Sequence, residues 1–596
     1  MQFSQSRNGH SATLTDLAGV IQEDSTNLQP VVNGWQAVSI QAPSAELAAS
    51  IQPAGAPAEV ENAVSLTGPA ASLHVATAQH AFGVTGAGIR IGIMSDSFNV
   101  HGGYALDVAN GALDAGITVL KEGPASGNEE GRAMAEVIHQ IAPDAQILFY
   151  TAFDGEADFA NGIAALAAAG AQIIVDDVTY LDEPFFQDSG LVQRAAEQAV
   201  AHGVSYFTAA GNEGDNYYQH AFQGIQTALP DRRDNFLAMN FGTAADPQML
   251  QSLTIASGSS VNLDLQWDQP FGGSANSLGM ALYDDSGDLV GYAMHIAVGG
   301  NPDQVLQFTN STASTSFHLA IVADGGASAP GQFKYIAYGH GLTINDPTAG
   351  IGSGSIFGHE VATGVNTVGA ADWNQAPNDT QVESFSSVGT GSLLFDTSGN
   401  RLAQPQTAGQ VSFLAPDGGN TDTFGTFHGT SAAAPAAAAT AALLLQANAT
   451  LTPAQVSDIL KQSAVPASGS VGSIGAGLIQ ADTAVALASA MGSQQGVAGA
   501  TLFSRAATLA LPTLSGSTGT TTVASVASHA SFITTLAHLG QDPTAQADQT
   551  VASIQSIAIT GGSRQPEATA FGAAPSLLHS SFDLPVLPLN MRDFIG

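Results

Sequence analysis

Five short stretches hold residues whose type and spacing could do chemistry. In "FHGTSAAAPAAAATAALL" (427–444) a turn led by Gly429 puts Ser431 in the first turn of a long apolar helix. There the positive end of the helix dipole and an exposed position would favour a nucleophilic hydroxyl, although a serine at a helix start is more often only a cap. "SGNEEGRAMAEVIHQIA" (126–142) places Glu130 directly before Gly131 at the opening of a helix. Asp96 closes the buried strand "IRIGIMSD" (89–96), where a carboxylate is rarely left without a purpose. Asn212 follows Gly211 at the end of the strand "VSYFTAAGN" (204–212), where an amide can project into a cleft. In "AQIIVDDVTYLDEP" (171–184) Asp176 and Asp177 interrupt a strand and point to opposite faces. Taken singly, turn-forming and solvated residues would account for the Asp and Asn positions.

The elements that must hold these residues follow from periodicity. From about residue 86, buried strands alternate with helices: "IRIGIM", "EGRAMAEVIHQIA", "AQILFYTA", "ADFANGIAALAAAG", "AQIIVDDV", "SGLVQRAAEQAVAHG", "VSYFTAAGN". Such alternation predicts a parallel sheet with helices on both faces. The pattern breaks over 216–350. There "VNLDLQW" sets Val261, Leu263, Leu265 and Trp267 on one face, and "FHLAIV" does the same with Phe317, Leu319 and Ile321. Period-two segments between turns describe an antiparallel β-sandwich inserted into the α/β unit. The first style returns with "VNTVGAADW", "VSFLAPDGG", the helix containing Ser431 and a helix opened by Thr452 and Pro453. The expected organisation is an N-terminal, pro-like extension (1–75), an α/β unit in two pieces (76–215 and 351–494), the inserted sandwich (216–350) and a low-complexity C-terminal region (495–596).

Composition narrows the function classes. Fifty Asp and Glu face thirteen Lys and Arg, a formal charge of −37. Phosphate binding wants a basic face, so nucleic acid is not an expected partner. Zero cysteine excludes disulfides, a thiol nucleophile and thiolate metal sites. The acidic excess fits either an acid or extracellular habitat or plain solubility. No run reaches the roughly 18 uninterrupted apolar residues of a membrane span.

"GTSAAAP" resembles the nucleophile motif of the subtilisin-like serine proteases. Four further segments match that family in the same chain order: "IGIMSDSF" its catalytic Asp strand, "FTAAGNEG" its oxyanion loop, and "VESFSSVG" and "SFLAPDGG" the strands leading to the serine. The resemblance implies a subtilisin-like α/β fold, with Ser431 as nucleophile, Asp96 as triad acid and Asn212 as the oxyanion donor. It also implies a His-Gly at the position of the base, and here that dipeptide is Glu130-Gly131. The sedolisins, a related family on the same fold, use a Glu in place of the His and work at low pH. Their supporting Asp lies four residues on along the helix, where this chain has Met134. Glu136 is six on and does not face Glu130. Support for Glu130 is therefore expected from Asp96, or from Asp177, which the resemblance turns into the cleft. A second carboxylate there would raise the pKa of one member of the pair.

The expected activity is a serine endopeptidase cutting protein or peptide substrates through an acyl-enzyme at acidic pH, with Glu130 as general base. The competing reading is a catalytically silent protein of the same fold, serving binding or surface interaction. Three histidines are weighed as replacement bases: His428, three residues before Ser431; His139, nine residues after Glu130; and His101, in a Gly-rich loop. The "DDSGD" turn explains Asp285, Gly287 and Asp288 without an ion, and neither metal nor cofactor is expected. Secretion is expected from family habit, few lysines and no cysteine, without a recognisable N-terminal signal peptide.

Overall fold

The computed structural model describes Val31–Val32 and residues 68–494, apart from 231–235, 295–296, 324–328, 346–353 and 378–379. Most of the expected extension (1–75) and all of the expected C-terminal region (495–596) lie outside the described residues.

An eight-stranded sheet forms the centre. Its strands are β1 (Arg90–Ser95), β2 (Thr118–Lys121), β3 (Gln146–Thr151), β4 (Ile173–Asp176), β5 (Ser205–Ala209), β6 (Asn366–Asp372), β7 (Thr390–Phe395) and β8 (Arg401–Asp417). In space they run β7-β8-β6-β5-β4-β1-β3-β2. All neighbours are parallel except the β7–β8 edge pair. The near-continuous apolar runs of β1 and β4 are what such a sheet requires, because both of its faces are covered. Ile91, Ile93, Ile173 and Val175 pack with helices α1 (Glu130–Ile141) and α4 (Thr430–Ala447) on one face. Met94, Ile174 and Tyr206 pack with α2 (Glu156–Ala168) and α3 (Leu191–Ala201) on the other.

From β1 the chain goes first to β2 and β3 on one side and then to β4 and β5 on the other. Strand order thus reverses between β1 and β4, and a crevice opens at their carboxyl ends. Asp96 directly follows β1, and Asp177 directly follows β4.

Helix α4 is buried almost along its whole length. Alanine gives it strong helix propensity and a thin profile, so it can lie inside the core. It is the one described helix long and apolar enough to cross a membrane, and here it is a core element. Pro435 inside it lacks an N–H, which leaves the carbonyl of Ser431 without the usual donor four residues on.

Antiparallel strands occupy the chain from Tyr217 to Ile344. One sheet has four strands and the other seven, and Leu263, Leu265, Trp267, Leu319 and Ile321 share the core between them. This is the sandwich that period-two patterning predicts. Its four-stranded sheet also docks on the α/β unit: Gln266 accepts from Phe185 N at 2.8 Å and donates to Glu183 O at 2.9 Å. The same stretch of chain, just beyond Asp177, pairs Val178–Thr179 antiparallel with Val31–Val32.

Candidate active site

Ser431 sits in the first turn of α4. It is fully buried rather than exposed as a helix-start position suggests, and its hydroxyl hydrogen bonds to the Glu130 carboxyl group. Glu130 is the first residue of α1 and is itself 1% exposed. Gly131 explains how α1 comes so close to the sheet: a Cβ there would lie 2.3 Å from Phe149 Cε2 and 2.9 Å from Ser97 O.

Asp177 meets Glu130 from the other side, side chain to side chain. Both groups are buried, and neither Asp177 oxygen is held by a fixed N–H donor among the described residues. Two adjacent buried carboxylates cannot both ionise, so the contact must hold a proton. Burial is the largest cause raising both groups above the usual carboxylate range. Ionised Glu130 adds to the rise at Asp177, while hydrogen bonds from Ser431 and Asp177 pull Glu130 back down. Glu130, pushed up to about 8, is therefore the first of the two to ionise, and Asp177, raised further, keeps its proton and donates it to Glu130.

Asp96 lies close enough for its charge to raise Glu130, but its oxygens are taken up by backbone. Oδ1 accepts from Glu130 N at 2.9 Å and from Ser97 N, and Oδ2 accepts from Asn128 N. Asp96 thus anchors the start of α1, whereas its own pKa is raised by burial and held back by these amides.

Asn212 follows β5. Its Oδ1 accepts from Thr430 N at 3.0 Å and Thr430 Oγ1 at 3.1 Å, so Nδ2 is the other end of an amide held in a fixed orientation. Gly429 lies between Nδ2 and the nucleophile, with φ 104°. A Cβ on it would stand 3.4 Å from Asn212 Nδ2 and 3.7 Å from Ser431 N, filling the space where two donors converge. Glycine is needed here for the left-handed backbone and for that space.

Asp176 points away from the site into a buried cluster that sequence reasoning missed. Its Oδ1 accepts from Thr208 Oγ1 at 2.8 Å and lies 3.1 Å from His359 Nε2, while His359 Nδ1 lies 2.8 Å from Glu183 Oε2. A histidine so far along the chain from Asp176 leaves no spacing signal. The three weighed histidines occupy other places. His428 is half exposed, with Nδ1 3.5 Å from Asp417 Oδ2. His139 lies in the last turn of α1 and lines a cavity of about 580 Å³ with Arg90, Asp144 and Gln146, by the amino ends of β1 and β3. His101 donates its backbone N–H to Glu129 Oε1 at 2.6 Å. Among the described residues no group of three or more His, Asp or Glu side chains is arranged to hold a metal ion.

Residues 111–477 match the subtilase family. The chain belongs to the subtilase family. Subtilases are serine-type peptidases, and the parallel sheet with helices on both faces is that family's architecture. Among solved structures, this subtilase is similar to the CspB protease of Clostridium perfringens, at 14% identity and TM-score 0.47, over 70% of this chain and 98% of that one. It is also similar to a protease from Pseudoalteromonas arctica, at 16% identity and TM-score 0.30, over 70% and 94%. A lanthipeptide protease stands at 14% and 0.34, over 70% and 93%. No curated protein matches it.

Proposed function

We propose that this subtilase is a serine endopeptidase with a sedolisin-like carboxylate in place of the family's histidine. The observation that carries the reading is the hydrogen bond from the Ser431 hydroxyl to the buried Glu130 carboxyl group. Ser431 Oγ attacks the scissile carbonyl of a protein or peptide while Glu130 takes its proton. The developing oxyanion receives hydrogen bonds from Asn212 Nδ2 and Ser431 N. Glu130 then gives the proton to the leaving amine, and the acyl-enzyme remains. A water repeats the sequence, with Glu130 again as base, and releases the second product. Asp177 keeps its proton throughout and donates it as a hydrogen bond that orients Glu130.

A carboxylate base works only where it is ionised, and burial pushes Glu130 up to about 8, so turnover in this proposal should rise from mildly acidic pH toward the neutral range. An extracellular habitat fits the excess of acidic residues, whose mutual repulsion falls as they titrate.

The test is labelling by a fluorophosphonate probe and peptide hydrolysis across about pH 3 to 8, the range in which carboxyl and imidazole groups titrate. Ser431→Ala should abolish both. Glu130→Gln keeps the shape and removes the basicity, so it should lower turnover by about a hundredfold or more. A folded wild-type protein that stays unlabelled across the range would instead support a silent binding module.

A further inference from the structure

Only two described residues other than glycine have a left-handed backbone, His74 and Glu129. Glu129 immediately precedes Glu130 and has φ 67° and ψ 33°. Such a conformation persists in a non-glycine residue only when its surroundings over-determine it, and it concentrates at functional sites.

Here the surroundings hold it at every polar atom. Its N–H donates to Ser97 Oγ at 2.8 Å, and its carbonyl accepts from Arg132 N at 3.0 Å. Its Oε1 takes His101 N, and its Oε2 pairs with Arg132 Nη2. The other arm of Arg132 pairs with Asp107, and both Glu129 and Arg132 are buried. The loop after β1 packs directly on the guanidinium, since a Cβ on Gly103 would lie 2.4 Å from Arg132 Nη2. On either side of Glu129, the amides of Asn128 and Glu130 both donate to the Asp96 carboxylate. A left-handed residue within such a turn is what brings neighbouring N–H groups onto one anion. The backbone of Glu130 is thereby set by the conformation of its neighbour.

We propose that Glu129 is a positioning residue: its left-handed backbone, locked by Arg132, aims Glu130 at Ser431. The inference rests on Glu130 being the general base. Glu129 touches no reacting atom and acts only through where it puts the next side chain. A misplacement of about 1 Å can cost about a hundredfold in rate.

The experiment is steady-state hydrolysis by Glu129→Gly, Glu129→Gln and Glu129→Val, each measured below its own unfolding temperature. Valine resists the left-handed region, and glycine enters it freely. Valine should therefore lose about a hundredfold in kcat with KM within about twofold, the size of a displaced base. Glycine should recover most of that loss although it lacks the carboxylate. Glutamine keeps the size but loses the ion pair, so it should lower kcat severalfold; it serves as the gentle variant if the valine protein does not fold. Wild-type kcat in the folded valine or glutamine variant, with only the unfolding temperature lowered, would reduce Glu129 to a structural role and overturn the inference. Activity that survives Glu130→Gln would overturn the base assignment, and this inference with it. Loss in Glu130→Gln beside full activity in Glu129→Val would overturn this inference alone.

Discussion

Glu130 and Asp177 stand as two buried carboxyl groups in side-chain contact at the carboxyl ends of β1 and β4, with Ser431 hydrogen bonded to the first of them. Strand order reverses between those two strands, which is why residues 47 positions apart meet there.

The proton that Asp177 supplies should be visible in the pH profile. Its hydrogen bond pulls Glu130 down against the upward push of burial. Asp177→Leu removes the donor without admitting water, so the acidic limb of kcat should move to higher pH. Asp177→Asn still donates an N–H and should leave the limb within about half a unit, because a neutral donor replaces a neutral donor. Equal shifts in the two variants would rule out the hydrogen bond as the cause.

Asp96→Asn should act in the opposite direction on the same limb. The Asp96 charge raises Glu130, so its removal should move the limb to lower pH. The asparagine can accept at only one end, and its amide would face a backbone N–H where a carboxylate oxygen accepted. Anchoring of α1 weakens, and kcat should fall about tenfold or more through displacement of Glu130. An unchanged limb would mean that the charge does not reach Glu130.

His428→Ala should lower neither the limb nor the labelling of Ser431 by more than about twofold. His428 is raised above its ordinary value, chiefly by the hydrogen bond to Asp417, and any part it played would show near or above the imidazole range. Abolished turnover in this variant, with near-normal turnover in Glu130→Gln, would make the imidazole the base.

Stability should fall as pH rises from about 4 toward 8, the interval between unfolded and folded carboxyl values. Burial, the largest cause in each, raises Glu360 to about 8 and Glu213 to about 7, and holds Asp264 well above its ordinary value. The native state keeps protons that the unfolded chain releases. Their stabilising contribution is fully present below the unfolded pKa and is lost as pH climbs through the folded one. Glu360→Gln can still accept from Phe357 N and meet the Thr179 hydroxyl, both of which the carboxyl group now contacts. It should raise stability at pH 8 and change little at pH 4, because only the glutamate must give up a buried proton as the pH rises. Thermal unfolding followed by circular dichroism at the two pH values decides this; a stability that rises toward pH 8 would contradict it.

Much of the fold was legible from periodicity. Continuous apolar runs separated by amphipathic helices can be buried only as a parallel sheet covered on both faces. The alternation of Leu263, Leu265 and Trp267 can be buried only on one side of a strand. The serine, the two asparagine and aspartate positions and the Glu130-Gly131 dipeptide were legible because each follows a strand or opens a helix, where backbone geometry is local. The partners of those groups were not legible in local spacing; only the family resemblance turned Asp177 toward Glu130. Whether Asp177 or Asp176 faces Glu130 depends on which face of β4 is turned toward α1 and α4, and strand alternation alone leaves that choice open. That Asp96 spends its oxygens on amides depends on the turn at Asn128–Glu130, whose left-handed residue is a glutamate and carries no glycine to announce it. His359 reaches Asp176 only because the chain returns beside β5 after the whole sandwich. Local spacing determines which groups are presented at the ends of elements. Burial and strand order determine which of them meet, because a carboxyl group shifts its proton only in the company that tertiary packing provides.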